Sequence, residues 1–379
     1  MAGLTTSIGT LGIMVSRKKG SPPFSDREFL KQLCLSARRL ELQAYVFCAD
    51  SYELSDSLKR DRFKSIKGYA VQDHEWIEGF FPVPELIFDR CLSGNAREAQ
   101  HAAAVVQEAE QTQRILWSRR LPGKWRVYER LKQCPHLSAA LPLTLRYTGP
   151  ASLRNALHRF QGDVFMKPSA GSHGSHTLYI HQEGAHAVLK GRTRDNVPFR
   201  HRTHAASLPG WISQFTGHRS FVMQPFLQLT SADGRPFDIR VLVQKNGQGR
   251  WCLTGSALRE GSCEGLTSNL HGGGRAAQVL PGLISRFGSA ASAGIMDTIH
   301  HLSELIPPDL EEGFGRLGEL GIDFGVDAKG TVWLLEVNSK PGRRVFTQTG
   351  DTGAAEQSVM NPLRYARYLL LRQLRRVNP

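Results

Sequence analysis

Gly321 to Gly342, GIDFGVDAKGTVWLLEVNSKPG, is the stretch whose reading decides the fold. Two alternating runs flank Asp327-Ala328-Lys329-Gly330, a tight-turn sequence in which Gly330 is free to take a positive φ. The pattern describes two strands joined by a turn and closed by a Pro-Gly corner. Whether the loop is counted as two residues or four, the register places Asp323 opposite Leu334. Side-chain alternation then puts Asp323, Glu336 and Asn338 on one face, and Ile322, Phe324, Trp333, Leu335 and Val337 on the other as a set suited to a core. Three oxygen donors on a stiff support suit Mg²⁺, a hard ion that retains waters and completes its shell with phosphate oxygens. An ordinary surface hairpin with a polar outer face has the same spacing, so the remaining segments must decide.

Outward from the hairpin the text acquires groups that handle anions. Ser220 to Val243, SFVMQPFLQLTSADGRPFDIRVLV, reads as strand, linker and strand, with Asp238 and Arg240 on one side of the second strand and placed to pair with each other. Arg259 follows, and the loop Thr267 to Gly274 adds the Asn269 amide and three glycines that permit close backbone approach. Asp163 to Ile180, DVFMKPSAGSHGSHTLYI, reads as a strand ending at Lys167-Pro168, a Ser/Gly loop from Ser169 to Ser175, and a strand from Thr177 to Ile180. Bare N–H groups in such a loop admit phosphate closely, and a strand-borne lysine supplies a fixed charge. GxxxxGK[ST] is missing and a strand follows, so this is no P-loop, and a plain hairpin with a flexible tip is the other reading. Lys124 opens a helix in GKWRVYERLKQCPHLSAALPLT, which then runs into a Pro-bounded strand; alone, such a lysine is usually solvated. The histidines between His173 and His218, His201 and His204 among them, lack metal-ligand spacing and read as exposed loop residues.

The first part of the chain reads as an α/β unit without a dinucleotide signal. Leu11 to Val15 and Ala44 to Phe47 are strands around a helix from Arg27 toward Leu42, capped by Asp26 and burying Phe29, Leu30, Leu33 and Ala37. Pro84 to Arg90 adds a strand, and Ala96 to Trp117 reads as a helical connector. Further on, Phe287 to Leu305 and Asn361 to Arg376 read as helices, the second amphipathic and docking back on the domain.

A chain of 379 residues accommodates two or three domains, and 40% apolar with 22% charged residues is ordinary for a globular protein. Lysine and arginine number 48 against 34 aspartate and glutamate, a net +14 that favours anionic partners. The basic residues are scattered, without a run interleaved with aromatics, which ranks nucleic acid low. Six cysteines without a CxxC pair suit a reducing compartment. The N-terminal charges follow the apolar stretch, opposite to a secretory signal, and no run reaches membrane-spanning length. The expectation is a cytoplasmic protein with no membrane partner.

In order, GKWRVYERLK with LPLT, VFMKPSAGSHG, VMQPFLQLTSADGRPFDIRVLVQKNGQGRW, TSNLHGGG and LGELGIDFGVDAKGTVWLLEVNSKPGR resemble the ATP-grasp proteins, and within them the YheC/YheD group of endospore coat-associated proteins. The resemblance spans Trp117 to Arg344 and extends more weakly through the N-terminal unit and Pro362 to Tyr365. It implies an α+β fold, an ATP-grasp domain over 117–379 whose two subdomains grip ATP, preceded by a small α/β pre-ATP-grasp domain with its helical connector over 1–116. ATP and Mg²⁺ are the implied cofactors. Lys124 and Lys167 would contact phosphates under a loop that includes Ser169, Gly171, Ser172 and Gly174, and Gln224, Pro225, Phe226 and Leu227 would form the adenine hinge. Asp238 would lie on the ribose side; Arg240, Arg259 and Asn269 would face the transferred phosphoryl group or the substrate carboxylate; Asp323, Glu336 and Asn338 would hold Mg²⁺. The implied activity is ATP-dependent ligation of an unknown carboxylate to an amine or thiol, and the basic balance suits an acidic substrate. The alternative is a non-catalytic nucleotide-binding structural component of the spore coat, with coat proteins as partners. Two departures stand out: Ser175 and His176 occupy positions where the family usually reads Arg and Gly, and Gln224 replaces an acidic hinge residue frequent in other ATP-grasp enzymes.

Overall fold

Leu11, Ile13, Met14 and Val15 are all buried in β1 (Gly9–Val15), as a strand covered on both faces requires. The computed structural model describes residues 7–52, 65–92, 95–171, 174–230, 234–262, 265, 268 and 274–377. Strand β1 pairs in parallel with β2 (Leu42–Cys48) and, on its other edge, with β5 (Leu86–Asp89), which pairs with β6 (Ile115–Trp117). The antiparallel hairpin of β3 (Ser65–Gln72) and β4 (Glu75–Pro82) completes the order β4-β3-β2-β1-β5-β6. Alternation sends Leu11 and Ile13 toward α1 (Arg27–Ala37), and Met14 toward α2 (Ala96–Gln111). Helix α1 stops at Ala37, short of the expected Leu42, because a 3₁₀ turn at Arg38–Leu40 and a left-handed Glu41 (φ 59°) redirect the chain. Asp26 does not cap it: its backbone is left-handed and its carboxylate lies 3.9 Å from Arg90. The expected connector likewise ends at Gln111, since Ile115, Leu116 and Trp117 pair with β5. The hairpin β3–β4 escaped the sequence reading because β4 has little buried surface to set an alternation.

The second sheet is antiparallel, in the order β11-β10-β9-β8-β12-β7. Its strands are β7 (Leu145–Tyr147), β8 (Asp163–Pro168), β9 (Leu178–Glu183), β10 (His186–Arg192), β11 (Pro198–His204) and β12 (Phe221–Pro225). Val164, Met166, Leu178, Ile180 and Met223 form a core with α5 (Pro150–Arg159) and α6 (Leu208–Thr216). Phe165, Lys167, Tyr179 and His181 therefore share the opposite face. The strand expected at LPLT starts instead at Leu145.

The third sheet, also antiparallel, has the order β15-β14-β13-β16-β17: β13 (Phe237–Lys245), β14 (Trp251–Glu260), β15 (Arg275–Ala277), β16 (Glu319–Val326) and β17 (Val332–Asn338). One face packs on α3 (Lys124–Lys132), α4 (Pro135–Ser138) and the long α7 (Val279–Phe314), which bends at Gly288 just inside the expected start at Phe287. After α8 (Arg344–Thr349), α9 (Thr352–Val377) begins earlier than the expected Asn361 and returns to the first sheet, where Leu363, Ala366 and Leu370 join the core of Leu11 and Ile13. The division expected between residues 116 and 117 falls inside β6.

The first and third sheets are tied together by buried ions. Arg90 Nη1 donates to Glu319 Oε1 at 2.5 Å, Arg343 Nη2 donates to Glu319 Oε2, and Lys340 Nζ donates to Asp89 Oδ1 at 2.6 Å. The cysteines within the described residues, Cys34, Cys48, Cys91, Cys134 and Cys252, are free thiols, and no described helix is long and apolar enough to cross a membrane.

Candidate functional site

The hairpin β16–β17 forms around the expected turn but in a different register. Val326 pairs with Val332 and Phe324 with Leu334, yet Asp323 pairs with Glu336, so Leu335 is an extra, bulged residue. Without the bulge Leu334 would share the face of Glu336; with it, Leu334 joins Ile322, Phe324 and Val332 in the core, and Glu336 and Asn338 keep the other face beside Asp323. Long-range partners hold the bulge, because the Leu334 N–H donates to Ala140 O at 2.8 Å and the Leu335 carbonyl accepts Lys167 Nζ at 3.0 Å. Trp333 and Leu335 therefore leave the expected core face. The Trp333 indole donates to Asp327 Oδ2 at 2.9 Å, and Leu335 packs over Gly325, where an added Cβ would meet its Cδ1 at 3.2 Å.

Cross-strand neighbours also overrule the expected Asp238–Arg240 pair. Residues directly opposite in an antiparallel sheet lie closer than residues two apart on one strand, and β13 sets Arg240 against Asp323 and Asp238 against Arg259. Arg240 donates through Nε to Asp323 Oδ1 and through Nη2 to Oδ2 at 3.0 Å, while Arg259 Nη2 stands 3.1 Å from Asp323 Oδ1. Arg259 also grips Asp238 with two 2.6 Å bonds, and Ser268 Oγ donates to Asp238 Oδ2. Both Asp238 oxygens are thus engaged in holding Arg259 in place. Burial opposes ionisation of Asp323, but Arg240 and then Arg259 outweigh it and hold the carboxyl below its ordinary value. Gly321, opposite Asn338, makes room for this cluster: a Cβ there would stand 2.9 Å from Arg240 Nη1.

Two lysines reach this face from other elements. At the start of α3 the Lys124 N–H donates to Ser169 O at 2.7 Å, a contact only glycine before it permits, since a Cβ on Gly123 would meet Ser169 O at 2.9 Å. The Lys124 ammonium donates to Gly171 O at 2.7 Å and lies 3.2 Å from Glu336 Oε1. Lys167, from β8 in the second sheet, crosses to the Leu335 carbonyl. Burial pushes its pKa down to about 8, with Glu336 opposing that shift and Lys124 adding to it.

At the hinge, Gln224 Nε2 donates to Thr144 Oγ1 at 2.8 Å, Pro225 is opposite Val164 in the ladder, and half-buried Leu227 follows Phe226. Phe226 stacks on Tyr179 with centroids 3.9 Å apart. Tyr179 went unnoticed in the sequence, although the alternation of β9 already placed it on the face of Lys167. Gly174 O accepts Thr177 Oγ1 at 2.9 Å; Ser172 and Asn269 lie outside the described residues. The histidines expected in exposed loops sit mainly on strands, His181 bonding Asp163 at 2.9 Å and His186 facing His204, while His176 is buried.

Among the described residues no group of three or more His, Cys, Asp or Glu forms a metal cluster. Two carboxylates and an amide on one face nevertheless fit Mg²⁺, which needs few protein oxygens when phosphates and waters supply the rest. The sequence pattern of the YheC/D-like ATP-grasp proteins matches residues 114–369. The chain belongs to this family. Relatives of this YheC/D-like ATP-grasp chain include two Bacillus subtilis (strain 168) proteins. Endospore coat-associated protein YheC is 27% identical over 309 residues, covering 80% of this chain and 83% of YheC. Endospore coat-associated protein YheD is 25% identical over 377 residues, covering 97% of this chain and 79% of YheD. Among solved structures, D-cycloserine synthetase DcsG superposes with a TM-score of 0.50 at 15% identity, covering 96% of this chain and 99% of DcsG. The ADP complex of purK, N5-carboxyaminoimidazole ribonucleotide synthetase, gives 0.51 at 10% identity, covering 90% and 73%. The expected α+β ATP-grasp fold is therefore the fold of this YheC/D-like chain.

Proposed function

We propose that the chain is an ATP- and Mg²⁺-dependent ligase that activates a carboxylate as an acylphosphate for attack by an amine or thiol. Membership in the ATP-grasp family supports ligase chemistry in general. The single observation that carries the reading is convergence: Lys124 and Lys167 arrive from two elements at the hairpin face that bears Glu336, with Asp323, Arg240 and Arg259 alongside.

In this reading Lys124 and Lys167 bind phosphate oxygens, with Ser169, Gly171, Ser172 and Gly174 closing over them. Phe226 and Tyr179 supply an aromatic wall beside the hinge formed by Gln224, Pro225 and Leu227. Asp323, Glu336 and Asn338 would hold Mg²⁺, which neutralises charge between the β- and γ-phosphates when bound. A substrate carboxylate oxygen attacks the γ-phosphorus and ADP leaves; the amine then attacks the acyl carbon, phosphate departs and the nitrogen loses a proton. Arg240 and Arg259 orient and stabilise the charged groups, and Asn269 adds an amide donor, so the protein's contribution is positioning and electrostatics without a side-chain nucleophile. A carboxylate-rich acceptor suits the net charge of +14.

The test is calorimetric titration of ATP, with and without Mg²⁺, into wild type and Glu336→Ala/Asn338→Ala, followed by ADP release with candidate carboxylate and amine pairs. Metal-dependent binding that disappears in the variant is the expected result. Absence of ATP binding to wild type would sink the ligase. The relatives' names favour a second reading, a nucleotide-binding component of the spore coat without turnover, which predicts binding with no ADP release for any substrate pair.

A further inference from the structure

A second concave site shares no residue with the ATP-grasp cleft. Its walls are the 3₁₀ turn after α1, the turn between β13 and β14, and the outer side of α9. Gly247, in that turn, follows Arg240 along β13, so roughly 20 Å separates the two places at a strand rise of ~3.3 Å per residue. The cavity measures about 470 Å³, within the range of small-molecule sites.

Its chemistry is one-sided. Five arginines line it, Arg39, Arg364, Arg367, Arg372 and Arg375, against a single carboxylate, Glu41. Glu41 accepts from Arg367 Nη2 at 2.7 Å, and Arg364 is held by Gln357 Oε1 at 2.5 Å. Among the described residues Arg372 contacts neutral groups, the Tyr368 hydroxyl at 3.2 Å and its ring at 5.7 Å. Among the described residues Arg39 and Arg375 have no ion pair. Guanidiniums crowded this way repel one another until an anion enters, and their planar forks match phosphate geometry better than any lysine would. Tyr368 and Leu371 give the floor an apolar portion.

We infer that this groove binds a phosphorylated ligand, its phosphates held by Arg39, Arg372 and Arg375 and its remaining part resting on Tyr368 and Leu371. The groove joins the first sheet, the third sheet and α9, so its ligand stabilises the junction between the N-terminal unit and the ATP-binding region by mass action. This site does not depend on the ligase reading.

The experiment uses the full chain as wild type, as Arg39→Gln/Arg372→Gln/Arg375→Gln, and as the cleft variant Lys124→Ala/Lys167→Ala. One arm titrates inorganic tripolyphosphate; the other sediments the protein with phosphatidylglycerol vesicles, both at about 0.15 M salt. The expected result is binding in one arm that weakens about tenfold or more in the groove variant, a loss of ~1.4 kcal/mol, and persists in the cleft variant. Binding in the first arm identifies a soluble phosphorylated ligand, and binding in the second a lipid headgroup. The substituted arginines are exposed, so thermal unfolding of the groove variant should match wild type and exclude misfolding. Equal binding by wild type and groove variant, loss only in the cleft variant, or no binding in either arm would overturn the site.

Discussion

Lys167 shows how one residue's setting can be tested through pH. Burial lowers its pKa from the ordinary 10.5 to about 8, against the pull of Glu336. Only the protonated amine attracts phosphate, so nucleotide affinity should fall as pH rises through about 8, by up to tenfold per unit, with uptake of a proton on binding. Titrations across that range in buffers of different ionisation enthalpy would read both effects; a flat affinity with no proton uptake would remove Lys167 from the phosphate site. His176 illustrates what a departure from a family pattern entails. At a position where the resemblance implied Gly, it adopts φ 57°, a conformation uncommon for a side-chain-bearing residue. Its Nε2–H donates to Phe215 O at 2.8 Å, its Nδ1 accepts from Arg219 at 3.2 Å, and it packs against Phe215 and Phe221. That pairing requires the neutral ring, and burial lowers its pKa accordingly. The substitution was visible in the sequence, but the contacts that support it were not, because Phe215 and Arg219 belong to another element.

The hairpin β16–β17 separates what periodicity can tell from what it cannot. Membership of Asp323, Glu336 and Asn338 in one face was legible from alternation. Register was not, because one bulged residue shifts every later pair, and the bulge depends on Ala140 and Lys167, distant in sequence. Asp238 and Arg240 were misjudged for the same reason: ladder partners, unknown before folding, outcompete neighbours on the same strand. Gly321 tests the arrangement. Gly321→Ala sets a Cβ 2.8 Å from Pro341 Cβ and 2.9 Å from Arg240 Nη1, an overpacking expected to cost about 1–3 kcal/mol and to weaken Mg²⁺-dependent ATP binding by displacing Arg240 from Asp323. Gly342→Ala, with open space around the new Cβ, is the control and should change stability by less than about 0.5 kcal/mol. Matching urea midpoints and ATP affinities for the two variants would show that the close approach at Gly321 does not matter.

Across the whole molecule, an α+β chain in ordered segments was readable, whereas the way its sheets are fastened together was not. Glu319, 1% exposed, accepts from Arg90, Arg343 and Gln244, residues scattered from β5 to the segment after β17. Glu319→Ala takes the close counter-ion from two buried guanidiniums, leaving Arg90 only the 3.9 Å approach of Asp26, and should lower stability by about 3–5 kcal/mol, measured as a shift in urea midpoint. A loss under about 1 kcal/mol would mean that water or rearrangement replaces the carboxylate. The other fastening is α9, whose Leu363, Ala366 and Leu370 cover Leu11 and Ile13. A ribosome makes Leu11 well before Leu370, and the whole cleft lies between them in the chain. The first of the three sheets to be made must therefore wait, its Leu11 and Ile13 face covered by α1 but not yet by α9, while every part of the ATP-grasp cleft is synthesised, so the topology itself sets a long interval in which that remaining apolar surface of the nascent chain is open to aggregation.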